Sequence, residues 1–190
     1  MNKNHAGKSI AKTSKFLSLV LRHRPEIIGL ELDRQGWAEV DDLLTQLGLH
    51  GRSITQEQLV RVVEENDKQR FRFNGDRTRI RASQGHSVAI DLALPPKKPP
   101  TQLFHGTATR FLDSIRQQGL LSRSRQHVHL SQDKSTAEKV GKRHGSPVIL
   151  VVDSEGMSRD SLEFFLSDNG VWLTEKVPED YIEFPKWKPI

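Results

Sequence analysis

Between Lys68 and Arg81 the chain reads KQRFRFNGDRTRIR, with six basic residues and one acid, Asp76, in fourteen positions. Asn74-Gly75-Asp76 is turn-forming, and apolar and basic residues alternate on both sides of it, the pattern of a β-hairpin. Successive strand side chains point to opposite faces. One face therefore collects Arg70, Arg72, Arg77, Arg79 and Arg81, and the other collects Phe71, Phe73 and Ile80. A row of planar, permanently charged guanidinium groups suits phosphate. The same row also suits a solvated edge hairpin whose charges prevent aggregation. The hairpin alone does not separate these readings.

Three other clusters could carry chemistry. Arg22-His23-Arg24-Pro25 closes an apolar helical pattern. Cations there complement the helix dipole, or Arg22 and His23 face a phosphate, with His23 kept neutral by its cationic neighbours and able to accept a proton. Leu103-Phe104-His105-Gly106-Thr107 places an imidazole, a bare backbone and a hydroxyl at a strand end, where Gly106 would let a flat ligand approach. In Arg125-Gln126-His127-Val128-His129-Leu130-Ser131, alternation puts Arg125, His127, His129 and Ser131 on one face, with Val128 and Leu130 on the other. A His-x-His pair can bind zinc, but no third ligand follows at suggestive spacing and no metal is expected. There is no Gly-x-Ser-x-Gly elbow, Walker loop or HExxH helix. The acids are scattered, which argues against a two-metal phosphoryl-transfer centre. Any phosphate chemistry here falls to arginines.

The composition agrees. The chain has 190 residues, net charge +5 and no cysteine. Residues 1 to 94 hold 15 Lys+Arg and 12 Asp+Glu, a net of +3, Lys97 and Lys98 add +2, and residues 101 to 190 balance at 12 of each. The basic excess lies where a polyanion would dock. Absence of cysteine excludes disulfides and thiolate metal sites and fits the cytoplasm. No secretory h-region and no membrane-length apolar run is present. Nothing demands an assembly, and a monomer is expected.

The elements that must position these groups fall on either side of Pro95-Pro96-Lys97-Lys98-Pro99-Pro100, a stiff segment that cannot continue a helix or central strand. Residues 1–94 form one lobe, 95–100 a linker and 101–190 a second lobe. In the front lobe a helix runs from about Ser9 to His23, capped by Ser9 or Thr13 and ended by Pro25. Val40, Leu43, Leu44 and Leu47 mark a second helix, stopped by Gly48. Thr55-Gln56-Glu57-Gln58 is a capping box before a third. Three helices and a two-stranded wing make a winged-helix arrangement. The rear lobe alternates strands (Leu103 to Thr107, His127 to Leu130, Val148 to Val152, Leu162 to Leu166, Val171 to Thr174) with helices (Thr109 to Gln118, stopped by Gly119, and Asp133 to Arg143). The fold class is α+β with a compact, mostly antiparallel sheet.

Seven blocks, in order, carry a resemblance to a known family: Ser14 to Leu44, Asp67 to Phe71, Ile80 to Ser87, Leu103 to Thr107, Arg125 to Ser131, Gly145 to Leu150 and Asn169 to Thr174. Together they resemble the RNA 2′-phosphotransferases. The resemblance implies a winged-helix lobe that grips RNA and a lobe of ADP-ribosyltransferase fold. It implies removal of an internal RNA 2′-phosphate by transfer to NAD, through ADP-ribosylated RNA, giving 2′-hydroxyl RNA, nicotinamide and ADP-ribose 1″,2″-cyclic phosphate. Such chemistry belongs to tRNA splicing, with a tRNA-like RNA as partner. The family's catalytic set falls on Arg22, His23, Arg70 and Arg125, and its NAD motif on His105, Gly106 and Thr107, with His129 and Ser131 lining the same pocket. Gln84 to Ser87 matches a family block to which no role is attached. The glutamate of many ADP-ribosyltransferases has no counterpart near Asn169 to Thr174. A phosphate dianion is already a nucleophile, so that lack is chemically reasonable. Two alternatives stay open: ADP-ribosylation of terminal nucleic-acid phosphates, and a non-catalytic winged-helix RNA-binding protein.

Overall fold

Leu17, Val20 and Leu21 recur at helical spacing and are fully buried, the inward stripe of a long first helix, α1 (Lys3–Arg22). The computed structural model describes the backbone of residues 3–185 and the side chains of residues 10–185. The helix begins upstream of the expected start near Ser9, so Thr13 lies inside it; the side chain of Ser9 is outside the described residues. The chain forms two compact units, the first ending at Ala93 and the second starting at Leu94. The fold is α+β.

In the first unit, β1 (Ala38–Glu39) leads into α2 (Val40–Leu49), followed by α3 (Gln56–Glu64), β2 (Phe71–Phe73) and β3 (Arg79–Ala82). Gly48 does not stop α2. The helix runs through it, and Gly51, with φ of 69°, supplies the left-handed turn after the helix end. The capping box forms as written: Thr55 Oγ1 accepts from the Gln58 amide at 3.2 Å and Gln58 Oε1 accepts from the Thr55 amide at 2.9 Å. The hairpin pairs Phe71 with Ala82, Arg72 with Arg81 and Phe73 with Ile80. β1 adds a third strand, in the order β1-β3-β2. Phe71 and Ile80 close onto Leu17, Leu21, Leu43 and Leu59 in the core.

In the second unit, β4 (Leu103–Ala108) is followed by α4 (Leu112–Gln118), β5 (Leu120–Leu121), β6 (Val128–Leu130), α5 (Lys134–Gly141) and β7 (Pro147–Val152). Then come α6 (Ser154–Arg159), β8 (Phe165–Leu166), β9 (Trp172–Thr174), β10 (Lys176–Val177) and β11 (Ile182–Glu183). All pairings are antiparallel, but the described strands form three small sheets rather than one: β11-β7-β4, β6-β9-β8 and β10-β5. Phe104 and Ser131 exchange backbone hydrogen bonds of 2.9 and 2.8 Å and so tie β4 to the end of β6. Asp133 caps α5 by accepting from the Thr136 amide at 2.8 Å. The proline segment is held against this unit: the Lys97 amide donates to the Phe164 carbonyl at 2.7 Å, and Ser154 Oγ donates to the Pro100 carbonyl at 2.7 Å. The core gathers Leu103, Leu130, Leu150, Val152, Met157 and Phe164.

Candidate functional site

The first unit brings Arg22, His23 and Arg70 into one hydrogen-bonded neighbourhood. Arg22 and His23 close α1, and residues 84–88 pack across that end. The Ser87 amide donates to the Arg22 carbonyl at 2.9 Å, satisfying an acceptor the helix leaves open. Ser87 Oγ lies 3.0 Å from His23 Nδ1. Arg22 Nη2 donates to the Arg70 carbonyl at 3.3 Å. Arg70 is steered from behind by Asn66, a buried residue at the foot of α3. Asn66 Oδ1 accepts from Arg70 Nη1 at 3.2 Å and from the Lys68 amide at 3.1 Å, while Asn66 Nδ2 donates to Ser14 Oγ at 2.9 Å. Ser14 is on α1, so one network sets Arg70 against the helix that carries Arg22 and His23.

The rest of the arginine face is already engaged. Arg72, Arg79 and Arg81 surround the Trp37 indole, with guanidinium carbons 5.3, 5.7 and 4.6 Å from the ring centroid, distances at which cation–π attraction operates. Arg81 is buried, and its Nη1 donates to the carbonyls of Gln35 and Leu92 at 3.4 and 3.3 Å. Arg79 pairs with Asp33 at 3.4 Å, and Arg77 with Glu64 at 3.3 Å. The expectation of one uniform phosphate-facing row is corrected: Trp37 covers that face, and Arg70 departs from it toward Asn66.

His86 is the residue that pattern reading missed. It is 1% exposed, and neither ring nitrogen has a partner among the described residues. Burial first, then the charges of Arg22, Arg81 and His23, push its pKa down to about 3. Its ring lies under Gly36, where an added Cβ would stand 3.5 Å from Nε2. The Gln84 to Ser87 block therefore buries a neutral imidazole beneath the arginines and closes α1. Only the His itself, in a run of small polar residues, hints at this in the sequence.

In the second unit, a cavity of about 440 Å³ is lined by His105, Gly106, Thr107, Arg125, His127 and His129, with Phe111, Leu121 and His144 among its other walls. Geometry fixes how two imidazoles present themselves. His105 Nδ1 lies 3.1 Å from the His129 carbonyl. A carbonyl only accepts, so Nδ1 donates and Nε2 keeps its lone pair. Burial, opposed by that hydrogen bond and reinforced by the charge of His144, holds His105 below the ordinary imidazole pKa. His129 is the converse. Arg125 Nη1 lies 2.6 Å from His129 Nδ1. A guanidinium only donates, so Nδ1 accepts and the ring proton sits on Nε2. One wall thus carries an imidazole acceptor, an imidazole donor and a guanidinium. Desolvation first, then the charge of Arg143, lower the Arg125 pKa; a group so placed gains from an anion.

Gly106 has a packing reason. An added Cβ would stand 1.7 Å from the Ala137 carbonyl oxygen, so α5 rests directly on β4. Gly141 reciprocates, with its virtual Cβ 2.7 Å from the Thr107 carbonyl oxygen. The bare backbone expected to admit a ligand instead admits a helix on its Cβ side, and the residue still lines the cavity. Ser131 is placed by its bridge to Phe104 rather than on the cavity wall. The ring of His127 meets Phe165 edge-on, with centroids 5.9 Å apart.

Comparison with known proteins decides the family. The family model described as RNA 2'-phosphotransferase, Tpt1 / KptA family, matches residues 8–176. The chain is 55% identical over 184 residues to a protein of Flavobacterium johnsoniae named "Probable RNA 2'-phosphotransferase", covering 97% of this chain and 99% of that one. Proteins of the same name from Agrobacterium fabrum and Burkholderia pseudomallei are 57% and 54% identical, covering 90% and 92% of this chain and 91% and 95% of theirs. The chain belongs to the RNA 2′-phosphotransferase family. The matched span includes Arg22, His23, Arg70, His105, Arg125 and His129. A transferase acting on an RNA 2′-phosphate accounts for arginines held in place by hydrogen-bonded neighbours. Among the described residues no helix is long and apolar enough to cross a membrane.

Proposed function

We propose that this RNA 2′-phosphotransferase transfers an internal 2′-phosphate of RNA to NAD, with the first unit acting as a winged-helix RNA-binding lobe and the second as an ADP-ribosyltransferase-type lobe. The observation that carries this reading is the pair of oppositely polarised imidazoles beside Arg125. His105 Nε2 suits a ribose hydroxyl as acceptor, while Arg125 and His129 Nε2–H suit an anion. The 440 Å³ cavity has the size of small-molecule sites and mixes apolar walls with few polar groups.

NAD supplies an anomeric carbon whose leaving group, nicotinamide, departs neutral from a cationic pyridinium. The protein's first task is positioning, so that the RNA 2′-phosphate meets that carbon in line; holding two reactants together supplies a large rate effect. The second task is harder: the ribose 2″-hydroxyl attacks the phosphorus, and the RNA 2′-oxygen leaves. Arg22, Arg70 and Arg125 bear the phosphoryl charge through charge-assisted hydrogen bonds. His23, oriented by Ser87, takes the hydroxyl proton or delivers one to the departing oxygen. His105, Gly106 and Thr107 bind the nicotinamide ribose and amide, and His129 serves the same pocket.

Incubating the protein with NAD and a short RNA carrying one internal 2′-phosphate tests the proposal. Nicotinamide, 2′-hydroxyl RNA and ADP-ribose 1″,2″-cyclic phosphate are expected in equal amounts. RNA binding without nicotinamide release would point to a non-catalytic module. Nicotinamide release from terminally phosphorylated RNA, with no cyclic phosphate, would point to terminal ADP-ribosylation.

A further inference from the structure

The apolar stripe of α1 faces the core, but a second stripe faces outward. Lys12, Lys15, Phe16, Leu19 and His23 recur at helical spacing of three or four residues and share one side of the helix. With Arg52 they line an open groove of about 670 Å³, and no acid lines it. Arg52 comes from the turn after α2, where its amide donates to the Leu47 carbonyl at 2.8 Å. Its guanidinium lies over the half-buried Phe16 ring, 4.1 Å from the centroid.

Charge compensation separates this groove from several other basic residues of the unit. Arg24, Arg61, Arg77 and Arg79 each pair with a carboxylate. Among the described residues Lys12, Lys15 and Arg52 pair with none. Three uncompensated cations in one concave strip are costly to self-association of like charge but favourable to a polyanion. A guanidinium lying on an aromatic ring also offers a flat surface to a nucleobase, and stacking of this kind holds single strands without selecting sequence. The stripe from Lys12 to His23 is about 16 Å long at 1.5 Å per residue, enough for a few nucleotides, and it ends at the proposed acid–base residue.

We propose that this groove holds the single-stranded RNA segment adjoining the 2′-phosphorylated nucleotide, with Lys12 and Lys15 on phosphodiesters and one base against the Arg52–Phe16 pair. The inference deepens the function proposed above and rests on its assignment of His23 to the reacting nucleotide.

The test compares a 2′-phosphorylated dinucleotide, too short to fill the groove, with single-stranded ten-mers extended on the 5′ or the 3′ side. Wild-type protein is expected to favour one ten-mer over the dinucleotide in kcat/KM by about tenfold or more, and a K12Q/K15Q/R52Q variant is expected to lose that preference. For binding of the same ten-mer, the magnitude of the slope of log K against log salt is expected to fall by about 1.4, from the two lysine–phosphate contacts at roughly 0.7 each on a single strand. Phe16→Leu keeps the helix surface apolar; it is expected to weaken ten-mer binding while leaving the salt slope unchanged. Equal kcat/KM for short and long RNA in the wild type, or an unchanged preference and slope in the triple variant, overturns the groove while leaving phosphotransfer intact. Binding with the expected slope difference but no turnover of any RNA upholds the groove and overturns phosphotransfer. Equal loss with blunt duplex RNA would overturn the single-strand assignment.

Discussion

A buried imidazole whose pKa is pushed down to about 3 makes the protein's stability depend on pH. His86 is neutral in the folded state across the physiological range, whereas in the unfolded chain it titrates near 6.5. Between those values the unfolded state binds a proton that the folded state refuses. Stability is therefore complete above about pH 6.5 and is lost as pH falls toward 3, approaching roughly 1.4 kcal/mol per pH unit from this residue. Denaturant midpoints at pH 7.5, 6 and 5 should show this slope. His86→Leu, which keeps an apolar filling under Gly36, should flatten it. A variant whose midpoint falls with acid as steeply as the wild type would show that the loss comes from other groups. Nothing local in the sequence reveals this histidine, because its burial depends on Gly36, Arg22 and Arg81, which come from three separate stretches.

Elements defined by contiguous chemistry were readable in advance, and those defined by contacts across the chain were not. The Thr55 capping box and the Asn74-Gly75 hairpin are local devices and form as spelled. The Gly48 stop fails because that glycine keeps helical backbone, and Gly51, just past the helix end, takes the positive φ instead. The arginine row fails because Trp37, remote in sequence, lies across it. Apart from the six-residue pairing of β4 with β7, the rear strands pair over only two or three residues, too short to leave a strong alternation. Gly106 shows how such packing can be tested. An alanine there would drive its Cβ to 1.7 Å from the Ala137 carbonyl oxygen, which is backbone and cannot rotate away. Overpacking against a fixed neighbour should destabilise by about 3 kcal/mol and shift α5 away from β4, displacing His105 and Thr107. Chemical denaturation measures the first effect, and nicotinamide release the second. A Gly106→Ala protein with wild-type midpoint and activity would show that helix and strand separate without cost.

At the scale of the whole molecule the proposed chemistry divides unevenly between two steps. The first creates little charge that the protein must absorb; the second builds charge on the phosphoryl oxygens with arginines as its stabilisers. Removing a single charge-stabilising donor typically costs 10²–10³-fold in rate, so Arg70→Ala and Arg125→Ala should each slow the second step by about that factor and the first step far less. ADP-ribosylated RNA should then accumulate in single-turnover gels. Groups acting as a set are non-additive. The double variant should therefore fall short of the product of the single losses. Multiplicative losses would mean that the two guanidiniums act on separate events. Continued nicotinamide release with no ADP-ribosylated RNA in either single variant would mean that neither arginine is needed for the second displacement, and the phosphoryl charge would need another stabiliser.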